Sequence, residues 1–307
     1  MKKEDNSPHK LESLSDAHRA FGLPKPQHPL ISLINGATIP GGVYRPHQSH
    51  VLNFYKISYK PRLSGKLRYG QDYYDFDEGG LLFASPNQII GGQTDDRTVE
   101  CSQYTLLIHP DFLWNYPLAK TIKQYGFFSY SANEALHLSD NEKATIISVF
   151  QLIEEELKSR IDDFSQDVVV AQIELLLNYA NRFYKRQFIT RKAMSNDLLQ
   201  KLEETLAEYF DNEQSLSKGI PTVQYLSEKL NISPSYLSDM LRSLTGLNAQ
   251  QHIHNKLIEK AKEKLSITSL SVSEIAYELG FEHPQSFSKL FKTKTSLSPL
   301  EFRRLFN

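Results

Sequence analysis

Residues 271–292 read SVSEIAYELGFEHPQSFSKLFK, and this stretch decides the fold of the C-terminal third of the chain. Ser271 and Glu274 have the spacing of a capping box, which predicts that a helix begins here. Gly280 suits the left-handed residue that ends a helix, and Pro284 suits the first position of the next one. The stretch therefore predicts two short helices separated by a tight turn.

The second of these predicted helices has one apolar side and one polar side. Phe287, Leu290 and Phe291 recur at spacings of three and four, which places them on one face. The opposite face spans an arc of roughly 100° and carries Gln285, Ser288, Lys289 and Lys292. A helix that is anchored by its back and exposes hydrogen-bond donors on its front is typical of helix-turn-helix proteins, whose second helix enters the major groove.

A weaker copy of this stretch lies about fifty residues earlier. The segment TVQYLSEKLNISPSYLSDMLRSLTG begins at Thr222 and repeats the same plan. Asn231 and Ile232 replace the Gly-Phe stop, and Pro234 opens the second predicted helix. Amphipathic helix pairs are common, so one copy alone would be a weak indication of DNA binding, whereas the duplication is a strong one. The polar face of the second helix in this copy carries Ser235, Ser238, Asp239 and Arg242.

A predicted helix and a local excess of positive charge support this interpretation. Residues 249–266, between the two copies, have helical periodicity and would span about 27 Å. With the helix radii added, this approaches the roughly 34 Å that separates successive major grooves on one face of a duplex. The whole chain has a formal net charge of −1, but residues 284–307 contain five Lys and Arg against one Glu. Affinity for nucleic acid is therefore expected to be local to the second copy and the tail.

The N-terminal half follows a different pattern. From residue 29 to about 108, short strand-like runs alternate with turn residues, which predicts an antiparallel sandwich or small barrel. Ser139 and Glu142 have capping-box spacing ahead of a long helical run. A second helical run at 168–188 carries an apolar stripe that packs either on its own domain or against a second copy of the chain. The stripe consists of Val169, Ile173, Leu176, Leu177, Ala180 and Phe183.

Composition excludes several classes of protein. Cys101 is the only cysteine, so an internal disulfide framework and a Cys-rich zinc site are excluded. The sequence has no signal-peptide core and no run of about 18 apolar residues, which predicts a cytoplasmic protein without membrane contact. His47 and His50 invite a metal interpretation, but residues three apart on a strand point to opposite faces. We expect no metal, no cofactor and no enzyme activity, since glycine-rich phosphate loops and a G-x-S-x-G elbow are also missing.

The duplicated pattern resembles the AraC/XylS family of bacterial transcription regulators. The quoted stretch followed by LSPLEFRR is similar to the C-terminal signature of that family, and SPSYLSDMLRSLTGLNAQQHI is similar to its first unit. The resemblance covers roughly 205–304. It implies an all-α domain in which two helix-turn-helix units, joined by a linker helix, read adjacent major-groove segments of a promoter. The sequence departs from the family pattern at Ser296, where glycine is usual, and at Ala249, where the second copy has Pro299.

The resemblance implies DNA contacts from the second helix of each unit. In the second unit the two lysines of the polar face are expected to anchor the DNA, with Gln285 and Ser286 near base edges. In the first unit Arg242 is the strongest expected contact. Asp239 repels phosphate and either accepts a hydrogen bond from a cytosine amino group or orients Arg242. The expected DNA-contacting residues are Ser235, Tyr236, Ser238, Asp239, Arg242, His283, Gln285, Ser286, Ser288, Lys289, Lys292 and Lys294.

The N-terminal half is more weakly similar to the cupin-like sensor domains of this family. By that resemblance it would hold a small effector in a barrel lined by Tyr55, Tyr59 and Tyr74, and would form a homodimer through helix 168–188. Two alternatives remain open: a pure interaction module, and a cupin-type enzyme with a DNA-binding appendage. The expected partners are double-stranded promoter DNA, RNA polymerase, a small effector and a second copy. The expected domains are a flexible lead-in at 1–28, a mainly β cupin-like domain with flanking helices at 29–190, a linker and helix start at 191–204, and the double helix-turn-helix domain at 205–304.

Overall fold

The chain divides into two compact units, Met1–Gln187 and Phe188–Asn307. The computed structural model describes residues 9–39, 50–61, 66–69, 72–75, 79–90, 102–131, 134–159, 165–190 and 192–306. Within these residues, no helix is long and apolar enough to cross a membrane. The strands are β1 (His9–Leu11), β2 (Ile31–Asn35), β3 (His50–Leu52), β4 (Tyr55–Lys60), β5 (Lys66–Tyr69), β6 (Asp72–Asp75), β7 (Gly80–Ala84), β8 (Ile89–Ile90), β9 (Tyr104–Ile108) and β10 (Leu136–His137).

Helices flank these strands and build the second unit. In the first unit they are α1 (Leu14–Ala20), α2 (Leu118–Thr121) and α3 (Asp140–Lys158), and the two units divide inside α4 (Ser165–Thr190). The second unit continues with α5 (Lys192–Asp211), α6 (Gln214–Lys218), α7 (Val223–Leu230), α8 (Pro234–Thr245), α9 (Ala249–Ile267), α10 (Val272–Glu278), α11 (Pro284–Thr295) and α12 (Pro299–Arg303).

The strands of the first unit form one large sheet, one small sheet and a hairpin. The large sheet has the order β10-β7-β4-β9-β2, and all four of its pairings are antiparallel. The small sheet has the order β1-β3-β8, in which β1 runs parallel to β3. Strands β5 and β6 pair only with each other among the described strands. The β-rich architecture expected from the spacing of turn residues is confirmed.

The central strand β4 separates two differently covered faces of the large sheet. Alternation places Tyr55 and Tyr59 on one face and Ser58 on the other. On the first face the Tyr55 ring lies edge-on to Phe128, with ring centroids 5.2 Å apart. Tyr104, the cross-strand partner of Tyr59, stacks on Phe150 of α3 at the same centroid distance of 5.2 Å. The first face is therefore packed against helical elements. On the second face, Leu107 of β9, the cross-strand partner of Lys56, belongs to one buried cluster with Leu11 of β1 and Leu52 of β3, so this face looks toward the small sheet.

The segment 9–21 corrects part of the predicted flexible lead-in, because it belongs to the core of the first unit. Ser13 and Asp16 form a capping box that begins α1. Pairing of β1 with β3 then brings scattered apolar residues together, which single-chain periodicity does not reveal. The cluster consists of the buried residues Leu11, Leu14, Ala17, Leu52, Phe54 and Leu107.

Two long helices follow the strands. The Ser139 backbone N–H donates to the Glu142 carboxylate at 2.9 Å, so the predicted start of α3 is confirmed. The same carboxylate pairs with Arg186 of α4 at 2.7 Å. The apolar stripe of α4 is at most 6% exposed, which confirms that it packs within its own chain. Residues 191–204 were expected to hold a linker and a helix start, but α4 runs to Thr190 and α5 already starts at Lys192.

The second unit is organised around α9. Along one face of this helix, Ala249, Ile253, Leu257, Ala261 and Leu265 are at most 2% exposed. Helices α5, α8, α10 and α12 pack against α9. Because one face of α9 is buried from Ala249 to Leu265, this helix sets the positions of the helices before and after it.

Candidate nucleic-acid interface

Helices α7 and α8 form one pair and helices α10 and α11 form another, and both pairs begin with a capped helix. Thr222 Oγ1 accepts from the Tyr225 backbone N–H at 3.1 Å at the start of α7. Ser271 Oγ accepts from the Glu274 backbone N–H at 3.2 Å at the start of α10, and the Glu274 carboxylate accepts from Ser271 N at 2.6 Å. Hydrogen bonds from Ser271 hold the pKa of Glu274 below its ordinary value. The capping box predicted at the start of α10 is confirmed.

Both pairs then turn through a left-handed residue. Asn231 follows α7 with φ 55°, and Gly280 follows α10 with φ 89°, so each turn contains a left-handed residue. Pro234 and Pro284 occupy the first turns of α8 and α11, and each of these helices is 12 residues long. The predicted stops and starts therefore lie where the sequence pattern placed them.

The turn at Gly280 packs directly on the backbone that precedes α7. A Cβ atom on Gly280 would lie 2.5 Å from the carbonyl carbon of Gly219. Both sides of this contact are held, because Tyr209 Oη donates to Gly219 O at 2.9 Å and Ser215 Oγ donates to Glu278 O at 2.6 Å. The turn between α10 and α11 thus meets the segment before α7 backbone against backbone, which leaves no room for a side chain at position 280.

Ion pairs add further connections along α9. Lys264 Nζ lies 2.7 Å from the Glu278 carboxylate on α10, and Lys260 Nζ lies 2.7 Å from Asp211 on α5. The hydrogen bond to Asp211 raises the pKa of Lys260. The two ion pairs tie α9 to its neighbours.

The outer face of α11 is exposed, and its back is buried. Phe287 and Phe291 are fully buried, with ring centroids 5.8 Å apart. Lys294, at the end of the helix, donates to Asn255 Oδ1 of α9 at 3.3 Å. The expected DNA-contacting residues His283, Gln285, Ser286, Lys289, Lys292 and Lys294 are exposed, and Ser288 is half-buried.

The outer face of α8 has a different chemistry. Arg242 is exposed, and Ser235, Ser238 and Asp239 are half-buried. Arg242 Nη1 donates to Asp239 Oδ1 at 2.9 Å. The back of the helix is anchored by the buried residues Leu237, Met240 and Leu241.

Tyr236 does not belong to this outer face and is a correction to the expected contacts. It is 5% exposed, and its ring lies edge-on to Phe188 with centroids 5.1 Å apart. On a helical wheel, Tyr236 lies about 40° from Met240, which is a buried position. The wheel alone therefore places Tyr236 on the buried side, and we remove it from the set.

Two of the tyrosines expected to line an effector pocket are buried. Tyr55 and Tyr59 are 5% and 3% exposed and lie on the helix-covered face of the large sheet. Burial raises the pKa of both phenols. Their role as lining residues stays a prediction. The Tyr74 side chain, His47 and Cys101 lie outside the described residues.

No metal site is visible in the described part of the chain. Its His, Cys, Asp and Glu side chains form no group of three or more that could hold a metal ion. His50 is buried, and its ring stacks on Phe21 with centroids 5.9 Å apart.

The repeat extends further than the sequence analysis recognised. Asn248 and Gln251 form a capping box at the start of α9, and Ser298 and Glu301 form one at the start of α12. The residues before these boxes also correspond, because Thr245 Oγ1 and Thr295 Oγ1 each donate to the carbonyl four residues earlier, at 2.9 and 2.8 Å. The signal that was missed is the pair N-x-x-Q and S-x-x-E at equal offset. Each copy is therefore two helices plus the start of a third.

Ser296 and Gly246 occupy the same position in the two copies and provide a stability test. Ser296 has φ 64° and Gly246 has φ 77°. Left-handed backbone costs an L-residue about 1–2 kcal/mol, and the unfolded-state freedom of glycine offsets roughly 0.5–1 kcal/mol of that. We expect Ser296→Gly to raise the free energy of unfolding by about 0.5–1 kcal/mol and Gly246→Ser to lower it similarly, as measured by urea denaturation. Destabilisation by both substitutions would contradict this expectation.

Both units match known protein families. An AraC-like ligand binding domain matches residues 40–166, and a helix-turn-helix domain matches residues 226–305. The HTH-type transcriptional regulator YfiF of Bacillus subtilis is 25% identical over 84% of this chain and 79% of that protein. The HTH-type transcriptional activator RhaS of Salmonella schwarzengrund is 29% identical over 48% of this chain and 51% of that protein. The C-terminal domain of the two-component response regulator yesN from Fusobacterium nucleatum is 34% identical over 33% of this chain and 96% of that domain, with a TM-score of 0.29.

Proposed function

Because the chain belongs to the AraC/XylS family of DNA-binding transcription regulators, we propose that it recognises a promoter through two successive major-groove contacts. In this proposal α7 with α8, and α10 with α11, are helix-turn-helix units. Helices α8 and α11 enter the groove, and α9 joins the two units.

The observation that supports the proposal most strongly is the matched construction of α8 and α11. Both have 12 residues, start at a proline after a left-handed turn, bury one side and expose a polar one. An amphipathic helix that is merely exposed to solvent needs no second helix of the same construction. A protein that contacts two major grooves needs one helix for each. The 19 residues of α9 give it a length of about 28 Å, which suits contacts roughly 34 Å apart once helix radii are included.

For the N-terminal unit we propose binding of a small effector that modulates DNA binding. The ligand-binding family match over residues 40–166 supports this assignment. We place the pocket on the face of the large sheet that looks toward the small sheet, because aromatic rings fill the other face. That same aromatic packing favours the second candidate, a pure interaction module. A shift in the thermal midpoint of the full chain in fractions of a small-molecule cell extract would favour an effector, and no shift in any fraction would favour the module.

Homodimerisation and contact with RNA polymerase remain part of the proposal. The apolar stripe of α4 is buried in its own chain, so a dimer through helix 168–188 would use its outer side. Val168 and Leu175 are 40% and 41% exposed there. Sedimentation velocity of the purified chain would distinguish monomer from dimer. The proposal assigns no catalytic step or cofactor and places the protein in the cytoplasm of a bacterial cell.

Selection of duplexes from a randomised pool by the purified full chain tests the proposed function. We expect the enriched sequences to contain two short blocks whose centres lie about 10–11 base pairs apart, because one protein face meets successive major grooves at that interval. A selection without protein controls for amplification bias. Enrichment of a single block, or of no sequence, would contradict the double contact.

A further inference from the structure

The two proposed recognition helices differ in charge. Helix α11 contains three lysines and no acidic residue, so its formal charge is +3. Helix α8 contains one aspartate and one arginine, so its formal charge is zero. The two helices are built alike, but their electrostatic attraction to the DNA phosphates would differ.

The charged residues of α8 are bonded to each other. Arg242 Nη1 donates to Asp239 Oδ1 at 2.9 Å, and the two side chains are 57% and 29% exposed. A guanidinium group has five N–H donors, so this contact leaves donors for a second acceptor. Asp239 therefore restricts the orientation of Arg242 without using up its hydrogen-bonding capacity.

An arginine on a recognition helix has two kinds of partner on DNA. It can bind a phosphate, which carries no sequence information, or the O6 and N7 atoms of guanine, which do. The Asp239 carboxylate repels phosphates and so disfavours the first contact. A guanine edge carries no net charge, and a guanidinium that is already oriented loses less freedom on binding it.

Building on the proposed function, we infer that Asp239 is a specificity-determining positioning residue that directs Arg242 toward a guanine and away from the phosphates. The juxtaposition of the two side chains, one turn apart on the exposed side of α8, carries this inference. Helix α8 then supplies base discrimination, and the lysines of α11 supply most of the salt-dependent affinity. The repulsive element that excludes the wrong contact is as important as the attractive one.

The substitution Asp239→Asn tests this inference, because it keeps the size and a hydrogen-bond acceptor and removes the charge. Binding would be measured on a duplex selected by the wild-type chain and on a random-sequence duplex. We expect affinity for the random duplex to rise about 3- to 10-fold, with a salt slope steeper by about one. We also expect the preference for guanine at one position to fall about 10-fold.

Two arginine variants separate positioning from a purely structural role. Arg242→Ala should abolish the preference at the same base position and should give no gain on random DNA. The double variant Asp239→Asn/Arg242→Ala should show the same loss of base preference as Arg242→Ala, since Asp239 acts on that preference through the arginine. If Asp239 only stabilised the helix, Asp239→Asn would lower the thermal midpoint and leave the base preference unchanged, which would overturn the inference.

A charge-matched control and the wild-type selection complete the experiment. Glu208→Gln removes one negative charge from an exposed position on α5, and we expect it to leave the base preference unaltered. If the Asp239 and Arg242 variants relax different positions, or if Arg242→Ala relaxes none, the inference is wrong. If the wild-type chain selects no sequence at all, the proposed function itself fails, so the two failures are distinguishable.

Discussion

Replacing both Lys289 and Lys292 with alanine is expected to weaken binding of the full chain to its selected duplex about 30- to 100-fold at physiological salt. Both side chains are exposed on α11, and the residues behind them are buried. Each lost phosphate contact should also reduce the dependence of log K on log salt by about 0.9, so the double variant should reduce the slope by roughly two. Fluorescence anisotropy titrations over a range of salt concentrations would measure both quantities.

Two control variants test whether the loss depends on the position and on the charge of these lysines. Lys120→Ala/Lys123→Ala removes the same charge from exposed positions in the first unit and should change affinity less than about 3-fold. The double arginine variant at positions 289 and 292 keeps the charge and should keep the salt slope. Unchanged affinity and slope in the alanine variant would show that α11 does not contact the phosphates.

The substitution Gly280→Ala is expected to lower the free energy of unfolding of the second unit by about 2–4 kcal/mol. The added methyl group would meet Gly219 and Ile220 backbone atoms at 2.5–2.8 Å, and the backbone φ of 89° already disfavours an L-residue. Relief by local movement is opposed by the hydrogen bonds on both sides of the contact. Chemical denaturation followed by far-ultraviolet circular dichroism would measure the loss.

Gly246 provides the matched control for this prediction. It also has a left-handed backbone, with φ 77°, but an added Cβ would meet nothing within 4 Å. Gly246→Ala should therefore cost only about 1 kcal/mol, the strain of the left-handed backbone. Equal costs at the two positions would show that the contact between the turn at Gly280 and the segment before α7 adds nothing. We further expect Gly280→Ala to weaken DNA binding more than Gly246→Ala, since only position 280 lies against the backbone that leads into α7.

Local patterns predicted the second unit well, because the interactions that determine them are short in sequence. The capping box at Ser271, the left-handed stop at Gly280 and the proline at position 284 involve residues at most four apart. The buried sides of α8, α9 and α11 follow equally from helical periodicity. The same reasoning missed the capping boxes of α9 and α12, although their signals are as local.

The first unit was less predictable because its arrangement depends on pairing over long distances. Alternation showed that Tyr55 and Tyr59 share a face of β4 but not which face the helices cover, since both faces are buried. The segment 9–21 has too few apolar residues to be recognised until β1 pairs with β3. Residues 191–196 read RKAMSN and are mostly polar, yet a polar sequence does not prevent two helices from extending almost to each other.

The candidate interface was predicted in outline and corrected in detail. Eleven of its twelve expected residues are exposed or half-buried, and Tyr236 is in the core because its helical phase was misjudged. The sequence left two roles open for Asp239, and spacing could not decide between them. Only side-chain geometry shows that its carboxylate binds Arg242.

The chemical difference between the matched helices α8 and α11 bears on the orientation in which the protein binds DNA. A dimer whose identical recognition helices are related by twofold symmetry binds a palindromic site. Such a complex is the same in both orientations on the DNA. Under the proposed function, two unlike recognition helices follow one another in one chain, and α9 joins them. A single molecule would therefore bind an asymmetric sequence in one orientation only. Such a protein can distinguish upstream from downstream before any second copy arrives.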